Sequence, residues 1–296
     1  MTDLSHHGRY GYRPIVGRPD YAWPGGRRLA IYLGVNHEVF GFGKGLGATL
    51  APSQTEPDVM NYAWRDYGNR VGAWRFMEMF DRLELKTTAL LNTAVITECP
   101  GLAEACRDRG DEIAAHGHTN AHAQGKLTEV EERVLIGRTL ERFETIGVRP
   151  SGWLGPWISE SAHTPDLLEE AGFRYVLDWA HDDQPTRLAT RSGTGLLSIP
   201  YSQEINDIPA IIGRKQEGTT FAGLIADAVE QLLGECDRRP LVLGIALHPY
   251  VMGQAHRALH LDRVLTQLRE AGDPRIWWTT AGAVAEFVEG MIIPDV

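Results

Sequence analysis

Apolar residues occur along this chain in two alternating forms. Short, nearly continuous runs, too short for helices and rich in Val, Ile, Leu and aromatic residues, read as buried strands. Arg28-Leu29-Ala30-Ile31-Tyr32-Leu33-Gly34-Val35 is the first, and others run over Thr87 to Asn92, Glu112 to His116, Tyr175 to Leu177, Leu196 to Tyr201, Leu241 to Leu247 and Ile276 to Thr279, with a further strand end inside Pro150 to Trp157. Between them, apolar positions at helical spacing predict helices over Val71 to Leu85, Gly101 to Arg109, Thr128 to Ile146, Thr164 to Ala171, Phe221 to Cys236, Leu261 to Ala271 and Ala281 to Gly290. Several carry their own punctuation. Thr128 with Glu131 three residues later forms a capping box and Gly147 a stop; Thr164-Pro165 opens the next helix and Gly172 closes it.

Strands alternate with helices about seven times with no linker between them, a pattern that predicts a parallel α/β architecture: a single distorted (β/α)7-type barrel. Residues 1–26, rich in Gly, Pro, Tyr and Arg and ending in the turn Trp23-Pro24-Gly25-Gly26, read as an N-terminal arm, and residues 27–296 as one barrel domain. Phe40 to Met60 lacks periodicity and reads as a long loop of the kind that serves as a lid.

A parallel barrel gathers at one face whatever follows each strand. Here that face collects Glu38, a cluster with His116, His118, Asn120 and His122, then Trp153, Asp178, Glu204 with Asn206, and His248. Hydrolysis of an amide needs a base or metal to activate water, a donor for the oxyanion and an acid for the leaving nitrogen, and carboxylates, imidazoles and a carboxamide supply all three. The competing reading is a solvated barrel rim. Trp74, Met77, Met79 and Phe80 at helical spacing read as core.

With 296 residues, 43% hydrophobic and 23% charged, the chain has apolar material for a large core. A net charge of -10 argues against a nucleic-acid partner, which needs clustered Lys and Arg. Three cysteines, Cys99, Cys106 and Cys236, have neither disulfide nor zinc-knuckle spacing. No apolar leader or membrane-length run stands out, so the expected form is a cytoplasmic homo-oligomer that meets a small molecule and no membrane.

The ordered motifs Asn36-His37-Glu38, Glu112-Ile113-Ala114-Ala115-His116-Gly117-His118-Thr119-Asn120, Gly152-Trp153-Leu154-Gly155-Pro156, Asp178-Trp179 with Asp182-Asp183-Gln184-Pro185, Ile199 to Asp207, and Leu247-His248-Pro249 resemble the polysaccharide deacetylase (NodB-homology) superfamily. The likeness spans about Arg27 to Phe287 and is nearest the branch of allantoinases and cyclic-imide hydrolases. It implies the glycoside hydrolase/deacetylase-like barrel. The family's adjacent acids, a catalytic base and then a metal ligand, fall on His37 and Glu38. Its two metal-binding histidines fall on His116 and Asn120, or in an alternative register on His118 and His122; the first register needs no insertion in the strand. The implied cofactor is a divalent metal such as zinc, held weakly by Glu38, His116 and Asn120, or none. His248 matches the histidine that protonates the leaving group, and Asp178 is a further catalytic candidate. The Arg of the third motif is Leu154 here, with Arg70 its candidate substitute or simply a surface residue. Trp153, Glu204, Asn206 and Arg70 are the substrate-binding candidates. The expected activity is hydrolysis of a non-peptide C–N bond in a small amide, ureide or cyclic imide. Its rivals are a metal-dependent N-deacetylase of an acetylated amino sugar and a barrel that binds ligand without turnover.

Overall fold

The computed structural model describes residues 5–53 and 55–291, so the first four residues of the expected arm and the last five of the expected barrel domain lie outside it. The strands are β1 (Leu29–His37), β2 (Thr88–Leu91), β3 (Glu112–Ala115), β4 (Gly152–Trp153), β5 (Tyr175–Val176), β6 (Thr186–Leu188), β7 (Leu196–Ser198), β8 (Leu241–Leu247) and β9 (Ile276–Thr279). The helices are α1 (Val59–Tyr67), α2 (Ala73–Arg82), α3 (Ala94–Glu98), α4 (Pro100–Arg109), α5 (Glu129–Glu144), α6 (Thr164–Glu170), α7 (Gly218–Glu235), α8 (Ala255–Ala271) and α9 (Ala281–Glu289). They build one curled sheet in the order β6-β7-β5-β4-β3-β2-β1-β8, parallel except for the β6–β7 pair. The expected α/β barrel is thus present in a distorted, half-open form. Between β7 and β8 no ladder closes the ring. Isolated backbone bonds do, from Val242 to Asp183 and from Ala246 to Ile205.

Strand alternation sorts the side chains into an interior and an outer layer. Ala30, Tyr32, Leu90, Ala114, Leu154, Tyr175, Leu177, Leu197, Ile199, Tyr201, Val242 and Ala246 pack together inside the curl. Leu29, Ile31, Leu33, Leu241, Leu243, Ile245 and Leu247 face out, under α7 and α8. Ala89, Leu91, Ile113, Ala115 and Trp153 meet the other helices. Truncating one of these fully buried leucines to alanine costs about 2–5 kcal/mol. The interior is narrow enough that Gly34 is required: a Cβ there would lie 2.9 Å from the Tyr201 ring, which crosses the barrel to meet Asn36.

Two expected elements differ. The helix expected from Val71 begins earlier, as α1, capped by the Asp58 side chain on the Asn61 N–H. It passes through a π-helical turn at Gly68–Gly72 before α2. Gly72 makes that bend possible, because a Cβ there would collide with the carbonyl oxygen of Pro249. The run from Pro150 to Trp157 contributes only two strand residues, since Pro156 has no N–H to donate to a ladder. No helix among the described residues is long and apolar enough to cross a membrane.

Candidate active site

The same alternation decides which strand-end residues reach the mouth. Along β1, Asn36 points inward, His37 outward, and Glu38, the next residue, inward again. Glu38 Oε1 accepts a hydrogen bond from Asn120 Nδ2 at 2.5 Å and lies 3.3 Å from His116 Nε2; Oε2 accepts from the Tyr250 hydroxyl at 2.9 Å. His248 Nε2 stands 3.7 Å from Oε1. These groups open on a cavity of about 160 Å³, which Asn36, Gln203 and Asn206 also line. Its apolar wall includes Leu154, Trp157, Ile158, Ile208 and Pro209.

A chain of hydrogen bonds fixes the orientation of Asn120. The Val39 N–H donates to Asn92 Oδ1 at 2.9 Å, which turns the Asn92 NH2 group to the His116 carbonyl and to Asn120 Oδ1 at 2.9 Å. Asn120 therefore shows Glu38 its NH2 group. His116 Nδ1 lies 2.8 Å from the Leu154 carbonyl, which only accepts, so that nitrogen carries a proton.

This geometry bears on the implied metal. Among the described residues no group of three His, Cys, Asp or Glu is placed to hold a metal ion. The donor set also does not fit one. The Asn120 oxygen is engaged by Asn92, while its N–H and the Tyr250 hydroxyl occupy the Glu38 lone pairs that a cation would need.

Electrostatics organise the same cluster. Burial alone would raise the Glu38 carboxyl, but the His248 charge and the bonds from His116 and Tyr250 hold it below the usual carboxylate range. Burial alone would lower the His248 imidazole; the Asp207 carboxylate, 2.6 Å from Nδ1, together with Glu38, carries it above the ordinary value. Asp207 is fully buried and also accepts the His248 backbone N–H at 2.8 Å, so both its oxygens serve this one residue. Burial and the Glu38 charge push the Tyr250 hydroxyl well up, which keeps it a neutral donor.

Not every expected residue reaches the cavity. Glu38, His116, Asn120, Asn206 and His248 do. His37 is corrected from base to spacer: it lies behind the sheet, 3.7 Å from Cys106 Sγ, and burial lowers it to about 4. Trp153 faces the outer layer edge-on to Phe173, because it is outward in β4 and Leu154 is inward. Arg70 is 75% exposed and paired with Asp66, and Glu204 is 82% exposed and paired with Arg214; neither lines the cavity. Asp178 accepts the Gly155 N–H at 2.8 Å beneath the turn that follows β4, and burial raises it. His118 bonds Thr93 outside the mouth and His122 is exposed, so Glu38 meets the first register and not the second.

Asn36, Asn92, Trp157, Gln203, Asp207 and Tyr250 carry no role in the sequence reading. Asp207 and Tyr250 stand inside or beside quoted motifs, and strand parity alone marks Asn36 as inward. Nothing local marks Asn92, whose partners lie 24 and 28 residues away.

A profile of the polysaccharide deacetylase family matches residues 56–176. A peptidoglycan deacetylase of Helicobacter pylori is 28% identical over 142 residues, 48% of each chain. Among solved structures, a probable polysaccharide deacetylase from Pseudomonas aeruginosa PAO1 superposes with a TM-score of 0.81 at 25% identity, covering 94% of this chain and 98% of its own. Puue allantoinase superposes at 0.83 with 24% identity, covering 98% and 99%, a likeness of fold. Profile and fold agree: the chain belongs to the polysaccharide deacetylase family, a family of hydrolases acting on C–N bonds other than peptide bonds.

Proposed function

We propose that the chain hydrolyses a C–N bond of a small cyclic ureide or imide. One observation carries the reading: a carboxylate held ionised on the floor of a small cavity, with a protonated, Asp-backed imidazole 3.7 Å away. In this scheme Glu38 takes the proton of a water whose oxygen adds to the ring carbonyl carbon. His248 gives its proton to the nitrogen as the C–N bond breaks, leaving a carboxylic acid and a free amide or ureide nitrogen. Asp207 keeps the His248 proton on call through Nδ1, and Tyr250 and Asn120 hold the Glu38 oxygens in place.

Around the reacting centre the chain offers a mixed polar edge. The Asn206 oxygen is bound to the Ile208 N–H, so its NH2 group is what it offers a ligand; Asn36 and Gln203 spend N–H groups on Tyr201 and offer oxygens. Donors and acceptors around one cavity match the alternating N–H and C=O edge of a ureide or imide. The Puue allantoinase neighbour is compatible with this substrate class. The peptidoglycan deacetylase likeness favours a second reading, N-deacetylation of an amino sugar.

A screen of cyclic ureides, cyclic imides and N-acetyl sugars, each with and without a chelator, separates the two. Ring opening that survives chelation is expected. Turnover confined to N-acetyl sugars and dependent on added zinc would overturn the first reading.

A further inference from the structure

The turn that walls the cavity has a backbone conformation its own residues disfavour. Trp157 and Ile158 lie consecutively at φ 62° and 51°, the left-handed region that glycine or asparagine fills easily and that bulky and β-branched residues rarely enter. The loop after β3 holds it there. The Trp157 indole N–H donates to the Asn120 carbonyl at 2.8 Å, and Ser159 Oγ accepts the Gln124 N–H at 2.8 Å while donating to Pro156. Gly117 lets the turn come close, since a Cβ there would lie 2.7 Å from the Pro156 ring.

A chain that keeps tryptophan and isoleucine where glycine would relax the backbone is using the side chains, and both line the catalytic cavity. Trp157 is 39% exposed, so its ring lies between cavity and solvent, and the bond to Asn120 stops it from swinging away. At about 160 Å³ the cavity has the volume of about five waters. That accommodates one small ring and leaves no room for the neighbouring residues of a sugar chain.

We propose that Trp157, seated by this strained turn, is the specificity-determining wall that confines the enzyme to single-ring substrates and shuts out polymers. This rests on the proposed function for its substrate class and adds the physical cut-off. Trp157→Gly removes the wall and suits the backbone; Trp157→Phe keeps a wall without the indole bond. Calorimetric binding of hydantoin, succinimide and the trimer of N-acetylglucosamine reads the cut-off without requiring turnover.

The parent and Trp157→Phe are expected to bind the small rings and exclude the trimer. Trp157→Gly is expected to admit the trimer and to bind the small rings about ten- to a hundredfold more weakly, from the lost apolar contact. Should Trp157→Gly fail to fold, Trp157→Asn, the non-glycine residue best suited to positive φ, reads the same cut-off. A parent that already binds the trimer, or a folded variant with the parent's cut-off, overturns the proposal. A cut-off that moves as expected in an enzyme that opens no ring leaves the wall standing and removes the reaction reading instead.

Discussion

The barrel interior contains two carboxylates on nearby strands, and they have opposite fates. Glu112, at the start of β3, accepts hydrogen bonds from the Tyr175 hydroxyl at 2.7 Å, Thr88 Oγ1 at 2.9 Å and the Gly282 N–H at the start of α9 at 2.8 Å. Its partners are neutral, fixed and belong to elements that close the N-terminal end of the sheet. Glu38, just beyond the C-terminal end of β1, has two neutral donors and two imidazoles, and opens on a cavity. Enclosure and hydrogen bonding are common to both. Titratable neighbours and room for a ligand distinguish the site that works on a substrate from the one that ties the barrel together.

Substitutions at the two ends test that contrast. Glu38→Gln keeps the shape and removes the charge, so kcat on a ring substrate should fall by at least about a hundred- to ten-thousandfold, with the melting temperature and ligand binding retained. A variant with near-parental turnover would move the base elsewhere. His248→Ala should lower kcat by a similar or smaller factor with little change in KM. The parent's pH profile gives the sign independently. Since Asp207 holds His248 above its ordinary value of 6.5, the acid is present below that raised value and activity is lost as pH climbs through it. Loss of His248 should erase this basic limb; a limb that persists unchanged belongs to another group.

At the closed end the effect should appear in stability. Glu112→Ala strands donors from Tyr175, Thr88 and Gly282 and should cost about 2–3 kcal/mol in a urea titration, while the folded fraction keeps its kcat. A large drop in kcat per folded molecule would dissolve the distinction between the ends. The smallest effect is expected at His37. His37→Leu removes a buried imidazole whose Nδ1 has no partner, and kcat should stay within about a factor of two. A hundredfold loss would restore His37 to the mechanism.

Glu38 and His37 also show how far the sequence is legible. The alternating apolar runs marked the strands, and a parallel barrel told which ends meet, so Glu38, His116, Asn120, Asn206 and His248 were all nameable. Which of two adjacent polar residues faces inward depends on parity along the strand. Reading β1 backwards from Asn36 through Gly34, Tyr32 and Ala30 would have turned His37 out, and the same exercise on β4 would have exchanged Trp153 for Leu154. Arg70 and Glu204 were named for their chemistry alone, and each is spent on a neighbour on the surface. The Asn92 relay and the twisted turn at Trp157 depend on contacts between distant loops, where composition and period are silent.

The placement of β1 has a kinetic consequence. It pairs with β2, β8 and β9, the last two from the end of the chain, and the Glu38–Tyr250 bond joins residues 212 positions apart. The strand that carries the catalytic carboxylate is among the first to be synthesised and among the last to find all its neighbours. Such non-local closure slows folding and leaves an unpaired apolar edge waiting during synthesis. Nascent chains lacking β8 thus lack both the outer wall of the core and half of the active site, so catalytic competence arrives together with the completed barrel.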